Sequence, residues 1–294
     1  MTSSSAEPDG APAGTSGEEL RLLAVRLAAA AGEVLLEHRR GVVTVSRTKS
    51  SPSDVVTAAD LAAERRLREL LAQERPGDGV LGEEEAPLAG TSGLTWVLDP
   101  LDGTVNYLYG TGVYAVSVAV VAGAPRPATW TAVAGAVLDV ERGRTFSATA
   151  GAGARLDGPL PGGGAADALP LRTSGCARLA DCLLGTGFSY DPEVRRQQGA
   201  AVALLLPQVR DIRRVGSAAL DLCMVAAGAL DGYVERGLHP WDHAAGALVA
   251  QEAGAVVQGA DGGRPDRRLV LAAAPGVAVE LARALRASGY EGPA

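Results

Sequence analysis

The sequence predicts a mixed α and β protein made of two lobes. Strand-like apolar runs follow one another directly between residues 113 and 150, whereas strand-like and helix-like runs alternate beyond residue 170. A connector rich in Gly, Pro and Ala, residues 158–170, separates the two patterns. A chain of 294 residues with 47% apolar content is long enough for one large domain or two lobes. We therefore predict an N-terminal lobe at 17–157 and a C-terminal lobe at 158–294.

Composition and charge exclude several classes of protein. The net charge of −7 argues against a general nucleic-acid-binding role. No run of about 18 apolar residues is free of charges, so no membrane span is predicted. Residues 1–16 have neither a basic nor an apolar signal-peptide region and are predicted to be a disordered tail. Three cysteines without a C-x-x-C pair indicate reduced thiols in a cytoplasmic protein.

In the N-terminal lobe, Ser16 and Glu19 have the spacing of a capping box, and an apolar helical repeat follows as far as Gly41. A strand and a loop come next, and then a second helix over 54–75, which Pro76 and Gly77 end. Short apolar runs at Val80-Leu81 and at 96–98 predict strands, and further strands are predicted at 113–121, 130–140 and 145–150. The glycine-rich stretch 151–158 lacks a dinucleotide-binding fingerprint and predicts turns.

In the C-terminal lobe, helical and strand patterns alternate. The predicted helices are 193–206, 217–229, 241–253 and 277–288. The predicted strands are 182–186, 211–215, 232–235, 255–258 and 269–273.

The segment WVLDPLDGTVN, residues 96–106, carries two acids at the end of an apolar strand. Pro100 fixes its own φ and offers no N–H, so Asp99 and Asp102 are predicted to lie on a tight turn. A Gly-Thr pair follows, and its N–H groups can face an anion. An Asp-capped turn is the structural alternative for a single Asp-Pro pair.

Further acids occur at comparable positions. Glu83 follows the short apolar run that ends at Gly82, and Asp242 lies in the first turn of a predicted helix that Pro240 precedes. Taken alone, Glu83 could be a solvated acid of a loop, and Asp242 could be an acid that stabilises the start of a helix. Carboxylates without nearby His or Cys ligands suit Mg²⁺ better than zinc. Together they predict a magnesium site.

The motifs GEE, DPLDGTVN and WDHAAG, in this order, resemble those of the inositol monophosphatase family of Mg²⁺-dependent, lithium-sensitive sugar phosphatases. Residues 49–60 and 213–237 also resemble segments of that family, and the resemblance covers roughly residues 20–275. It implies an α+β N-terminal lobe and an α/β C-terminal lobe, layered αβαβα as in inositol monophosphatases and fructose-1,6-bisphosphatases. It also implies two or three Mg²⁺ ions, with Mn²⁺ as a substitute, and homodimers in many members.

The resemblance further implies roles for particular residues. Glu83, Asp99 and the Leu101 carbonyl would hold one metal. Asp99, Asp102 and Asp242 would hold a second, and Glu83 with waters a third. The remaining roles are as follows: Asp60 and Thr104 would activate water alongside Glu83; Asp102, Gly103 and Thr104 would meet the phosphate; Gly216, Ser217, Ala218 and Glu235 would meet the alcohol part of the substrate.

These assignments predict hydrolysis of a small polyol phosphate, with inositol 1-phosphate as the first candidate and no covalent intermediate. Relatives with the same motifs act on histidinol phosphate, fructose 1,6-bisphosphate or 3′-phosphoadenosine 5′-phosphate, and the motifs do not separate these substrates. A haloacid-dehalogenase-type phosphatase would need D-x-D-G-T, whereas here Pro100 and Leu101 separate the acids. A catalytically silent metal-binding regulatory protein is the alternative from another class. The motifs assign no role to His239 or His243.

Overall fold

The computed structural model describes residues 15–41, 43, 45–48, 55–160 and 162–291. Its helices are α1 Gly17–Arg39, α2 Ala58–Glu74, α3 Thr104–Tyr109, α4 Pro192–Leu205, α5 Ala218–Ala226, α6 Pro240–Glu252 and α7 Pro275–Ala287. Its strands are β1 Val45–Thr48, β2 Val55–Thr57, β3 Gly79–Gly82, β4 Leu94–Asp102, β5 Ala115–Ala122, β6 Thr131–Asp139, β7 Arg144–Thr149, β8 Ala154–Pro159, β9 Ala165–Pro170, β10 Leu183–Thr186, β11 Asp211–Arg213, β12 Gly232–Glu235, β13 Val256–Gln258 and β14 Val270–Ala273.

Two sheets form the framework. The larger has the order β3-β4-β5-β6-β7-β8-β9, with only the β3–β4 pair parallel. The smaller has the order β11-β10-β12-β14-β13 and mixes parallel and antiparallel pairs. Short connections between β5, β6, β7, β8 and β9 favour their antiparallel pairing. β3 and β4 are parallel although a loop without a helix joins them.

The helices pack on both faces of each sheet and create three apolar layers. The first lies between α1, α2 and the large sheet, and includes Leu27, Leu67 and Trp96. The second lies between the two sheets around α5 and α6. The third lies between the small sheet, α4 and α7. This order of layers confirms the predicted αβαβα sandwich.

Most predicted elements are confirmed, including the capping box in which Ser16 and Glu19 begin α1. The predicted helix over 54–75 differs, since residues 55–57 pair with β1 and α2 starts at Ala58. The predicted tail lies outside the described residues as far as residue 14. The predicted division at 157/158 falls inside β8, and residues 165–170 form the last strand of the large sheet instead of a connector. The change from one sheet to the other therefore comes after Pro170.

No helix in the described part of the chain is long and apolar enough to cross a membrane. All three cysteines are free thiols, and Cys182 and Cys223 are buried.

Candidate active site

The segment that carries Asp99 and Asp102 is the end of a buried central strand. In β4, every residue from Leu94 to Pro100 is buried, and its antiparallel register with β5 shifts between Asp99 and Asp102. Gly103 then adopts φ 94°, a left-handed conformation that L side chains rarely adopt, and α3 begins at the next residue. The predicted tight turn at Asp99 and Asp102 is therefore wrong in position: both acids still belong to β4, with an irregular register between them, and the turn comes at Gly103.

The four predicted metal-binding carboxylates influence one another strongly. Burial, and then the charges of Glu83, Asp102 and Asp242, raise the pKa of Asp99 well above its ordinary value. Burial and the charge of Glu83 likewise raise the pKa of Asp242. Such mutual repulsion in a desolvated place is the condition that a bound cation relieves. The fold therefore gathers the predicted set at one place.

The positions of these carboxylates do not by themselves form a metal site. Among the described residues, no group of three or more His, Cys, Asp or Glu side chains is arranged to hold a metal ion. Two of the acids use an oxygen on backbone donors: Asp99 accepts from the Leu101 N–H at 3.0 Å, and Asp242 accepts from the His239 N–H at 2.7 Å. Metal ligation by these residues stays a prediction.

Asp102 connects the end of β4 to the start of α5. Its Oδ2 accepts hydrogen bonds from the Ser217 hydroxyl at 2.6 Å and from the Ala219 N–H at 2.7 Å, at the start of α5. Burial raises the pKa of Asp102 to about 6 against the opposing effect of these donors and of Arg214. The predicted phosphate turn and the predicted substrate segment at 216–218 therefore lie side by side.

Asp60 and Thr104 form a hydrogen-bonded pair. The Thr104 hydroxyl lies 3.1 Å from Asp60 Oδ1 and 3.0 Å from the Leu101 carbonyl oxygen. The other oxygen of Asp60 accepts from the N–H and hydroxyl of Thr57, which completes the capping box of α2. Burial raises the pKa of Asp60 to about 6. A carboxylate with such a pKa, touching a hydroxyl, is suited to accept a proton near neutral pH.

The loop that carries Glu83 is held by Glu64, a residue that was not predicted from the sequence. Glu64 is fully buried on α2 and accepts hydrogen bonds from the N–H groups of Glu84 at 2.7 Å and Glu85 at 3.1 Å. A Cβ at Gly82 would overlap the Glu64 carboxylate, so only glycine permits this approach. The sequence did contain one sign of this role: Glu64 lies on the face of α2 that also carries buried apolar residues.

Asp242 occupies the first turn of α6, where the ring of Trp241 stacks on His239 with centroids 4.8 Å apart. His243, the next residue, is buried, and burial lowers its pKa to about 4. It is therefore neutral near pH 7, and its Nε2 has no hydrogen-bond partner in the described part of the chain. Neither histidine acquires a role at the site from these contacts.

At the predicted substrate end, Glu235 terminates β12 and its Oε2 accepts a 2.6 Å hydrogen bond from the Tyr233 hydroxyl. Burial raises the pKa of Glu235 to about 7. Asn106 also contributes here, because its amide donates to the carbonyl oxygens of Val215 at 3.0 Å and Gly216 at 3.2 Å. Neither Tyr233 nor Asn106 was singled out from the sequence, although both lie inside the recognised motifs. Residues 49–54 of the upstream motif lie outside the described residues.

Comparisons with known proteins find relatives that match nearly the whole chain. A model described as the inositol monophosphatase family matches residues 17–290. An inositol-1-monophosphatase of Mycobacterium bovis is 45% identical over 97% of this chain and 98% of its own. The solved structure of Mycobacterium tuberculosis SuhB has a TM-score of 0.76 and 44% identity over 94% of this chain and 98% of that one. A protein of Xylella fastidiosa named Nus factor SuhB is 38% identical over 90% of this chain and 94% of its own.

Proposed function

The chain belongs to the inositol monophosphatase family and is a phosphomonoester hydrolase, and from this premise we propose that it is Mg²⁺-dependent and hydrolyses inositol 1-phosphate. The name of the Mycobacterium bovis relative supports the choice of substrate. The observation that carries the proposal is the cluster of buried Asp99 with half-buried Glu83, Asp102 and Asp242, together with the Asp60–Thr104 pair.

The donor set fits a hard divalent cation. The four side chains offer only carboxylate oxygens, and burial with mutual repulsion raises the pKa of Asp99 and Asp242. We propose that Glu83, Asp99 and the Leu101 carbonyl hold one ion and that Asp99, Asp102 and Asp242 hold a second. Glu83 with waters would hold a third, and Mn²⁺ would substitute. Bound divalent ions lower the pKa of water and offset charge on phosphoryl oxygens.

The protein's own groups would act on the proton and the phosphate. Asp60 accepts the proton of the attacking water through the Thr104 hydroxyl, which it already contacts. The N–H groups of Gly103 and Thr104 follow the turn at Asp102, where they can donate to phosphoryl oxygens. Attack by water leaves no covalent intermediate on the protein.

Glu235 and the segment 216–218 would bind the alcohol part of the substrate. A carboxylate accepts hydrogen bonds from neighbouring hydroxyls, and the half-buried Glu235 lies close enough to Asp102 for its charge to raise the pKa of Glu235. The polyol would therefore lie on the side of the phosphate that faces β12. Histidinol phosphate is the main rival, since its amine would pair with the same carboxylate.

A phosphate-release panel tests the proposal. With Mg²⁺ and the full chain, inositol 1-phosphate should give the highest kcat/KM, above histidinol phosphate, fructose 1,6-bisphosphate and 3′-phosphoadenosine 5′-phosphate. Excess EDTA should abolish release, and millimolar lithium should inhibit it. Full activity in EDTA would contradict the metal requirement. A higher kcat/KM for histidinol phosphate would show that inositol 1-phosphate is not the preferred substrate.

A regulatory role without catalysis is the alternative, and the name of the Xylella fastidiosa relative raises it. The complete set of carboxylates favours catalysis. An absence of phosphate release across the whole panel would favour the regulatory role. We also expect a cytoplasmic location, where the three free thiols would remain reduced.

A further inference from the structure

Tyr233 contacts the carboxylate of Glu235, the residue predicted to bind the alcohol part of the substrate. Residues two apart on a strand point to the same face, and Tyr233 and Glu235 are so related on β12. The Tyr233 ring is fully buried, and its hydroxyl lies 2.6 Å from Glu235 Oε2. Burial also raises the pKa of the Tyr233 phenol well above its ordinary value, so it remains a hydrogen-bond donor.

Two glycines of the neighbouring strand region make room for this pair. Gly185 on β10 is in register with Tyr233, and a Cβ there would lie 3.3 Å from the ring. Gly187, just beyond β10, faces the carboxylate so closely that a Cβ would overlap it. The Glu235 side chain is therefore confined between the phenol and the backbone of Gly187.

The confinement leaves one carboxylate oxygen for a ligand. Among the described residues, the Tyr233 hydroxyl is the sole hydrogen-bond donor to Glu235, and Oε1 accepts none. A glutamate loses substantial rotamer freedom when a ligand fixes it, and a side chain that is already fixed avoids that cost on binding. The phenol thus holds Oε2 and leaves Oε1 for substrate hydroxyls.

We propose that Tyr233 is a positioning residue that fixes Glu235 for a hydroxyl-bearing alcohol group and so sets the preference for polyol phosphates over plain phosphomonoesters. This inference rests on the proposed function. A purely structural tyrosine would affect all substrates equally, whereas a positioning tyrosine acts on those with hydroxyls.

The test compares inositol 1-phosphate with p-nitrophenyl phosphate, whose alcohol part has no hydroxyls. Tyr233→Phe should lower the ratio of their kcat/KM values about tenfold, mainly through KM for inositol 1-phosphate, because one hydrogen bond to a charged group is lost. Tyr114→Phe is the matched control. It removes a buried tyrosine hydroxyl that also donates to a glutamate, Glu141 at 2.8 Å, and should leave the ratio unchanged.

A double variant tests whether Tyr233 acts through Glu235. In a Glu235→Ala background, Tyr233→Phe should change the ratio less than about twofold, because its partner is absent. An equal loss with both substrates, an unchanged ratio, or a full effect in the Glu235→Ala background would overturn the inference alone. Wild-type protein that releases phosphate from neither substrate would overturn the proposed function and this inference with it.

Discussion

The Ser217 hydroxyl donates a 2.6 Å hydrogen bond to Asp102 Oδ2 and joins residues that are 115 positions apart in the chain. The same hydroxyl oxygen accepts from the Leu220 N–H at 3.3 Å, so Ser217 also caps α5. One side chain thus fixes the start of a C-terminal helix to the acidic turn of the large sheet. The predicted site therefore depends on how α5 packs against the end of β4.

Replacing Ser217 should affect stability and metal binding together. Ser217→Ala removes a helix cap and a donor to Asp102, so the free energy of unfolding should fall by about 1–2 kcal/mol. The Mg²⁺ concentration for half-maximal activity should rise several-fold, because Asp102 is less well oriented. Urea denaturation and a Mg²⁺ titration measure the two effects. Ser217→Thr keeps the hydroxyl and is the control; equal losses in both variants would contradict the hydrogen-bond explanation.

Asp60→Asn should remove the proton acceptor and little else. The amide oxygen still accepts from Thr57, so the fold should persist, while kcat should fall about 100-fold or more. The requirement for Mg²⁺ should be nearly unchanged. Burial raises the pKa of Asp60 to about 6 in the metal-free protein, and nearby cations lower it, so wild-type kcat should decline only below about pH 6. Phosphate-release assays at a series of pH values measure this decline in kcat. A loss of Mg²⁺ affinity as large as the loss of kcat would instead make Asp60 a ligand.

Asp99→Asn should separate stability from activity. Neutralising buried Asp99 beside mutually repelling carboxylates should raise the Tm of the metal-free protein by a few degrees, which corresponds to about 1 kcal/mol. Activity should fall about 1000-fold, and the rise in Tm that Mg²⁺ gives the wild type should disappear. Thermal unfolding with and without Mg²⁺ measures both. Asp167→Asn, at an exposed position of β9, should change neither; a normal Mg²⁺ response in Asp99→Asn would refute the ligand assignment.

The sequence predicts the helices and the site carboxylates well because both leave local signals. Ser16 with Glu19 and Pro240 with Asp242 mark helix starts within a few residues. Strand β9 was missed because its residues are small and mostly exposed, without an alternating apolar pattern. Residues 55–57 looked helical because their pairing with β1 is a tertiary contact. Glu64 was missed because its partners lie 20 and 21 residues away in the chain. Tyr233 was missed because its spacing from Glu235 puts both side chains on one face of a strand but does not show that they form a hydrogen bond.

Glu64 should matter for metal binding without touching the metal. Glu64→Ala leaves the N–H groups of Glu84 and Glu85 without their acceptor, so the neighbouring Glu83 should be less well ordered. We expect about tenfold weaker Mg²⁺ activation and a loss of stability of about 1–3 kcal/mol. Glu69→Ala, at an exposed position of the same helix, is the matched control. Unchanged Mg²⁺ activation in Glu64→Ala would show that the loop orders itself without this anchor.

Asp221 should lower the stability of the protein near neutral pH. It is 1% exposed and its Oδ1 has no hydrogen-bond partner in the described part of the chain. Burial, and then the charges of Glu235 and Asp102, raise its pKa well above the ordinary value, so the native state binds a proton that the unfolded state has released. Stability therefore falls as pH rises above about 4, and Asp221→Asn removes this loss. The variant should be more stable than wild type by about 1 kcal/mol near pH 8 and indistinguishable from it near pH 4. Urea denaturation in EDTA at both pH values measures this, with Asp167→Asn as the exposed reference. A gain of the same size at both pH values would mean that packing, and not ionisation, accounts for it.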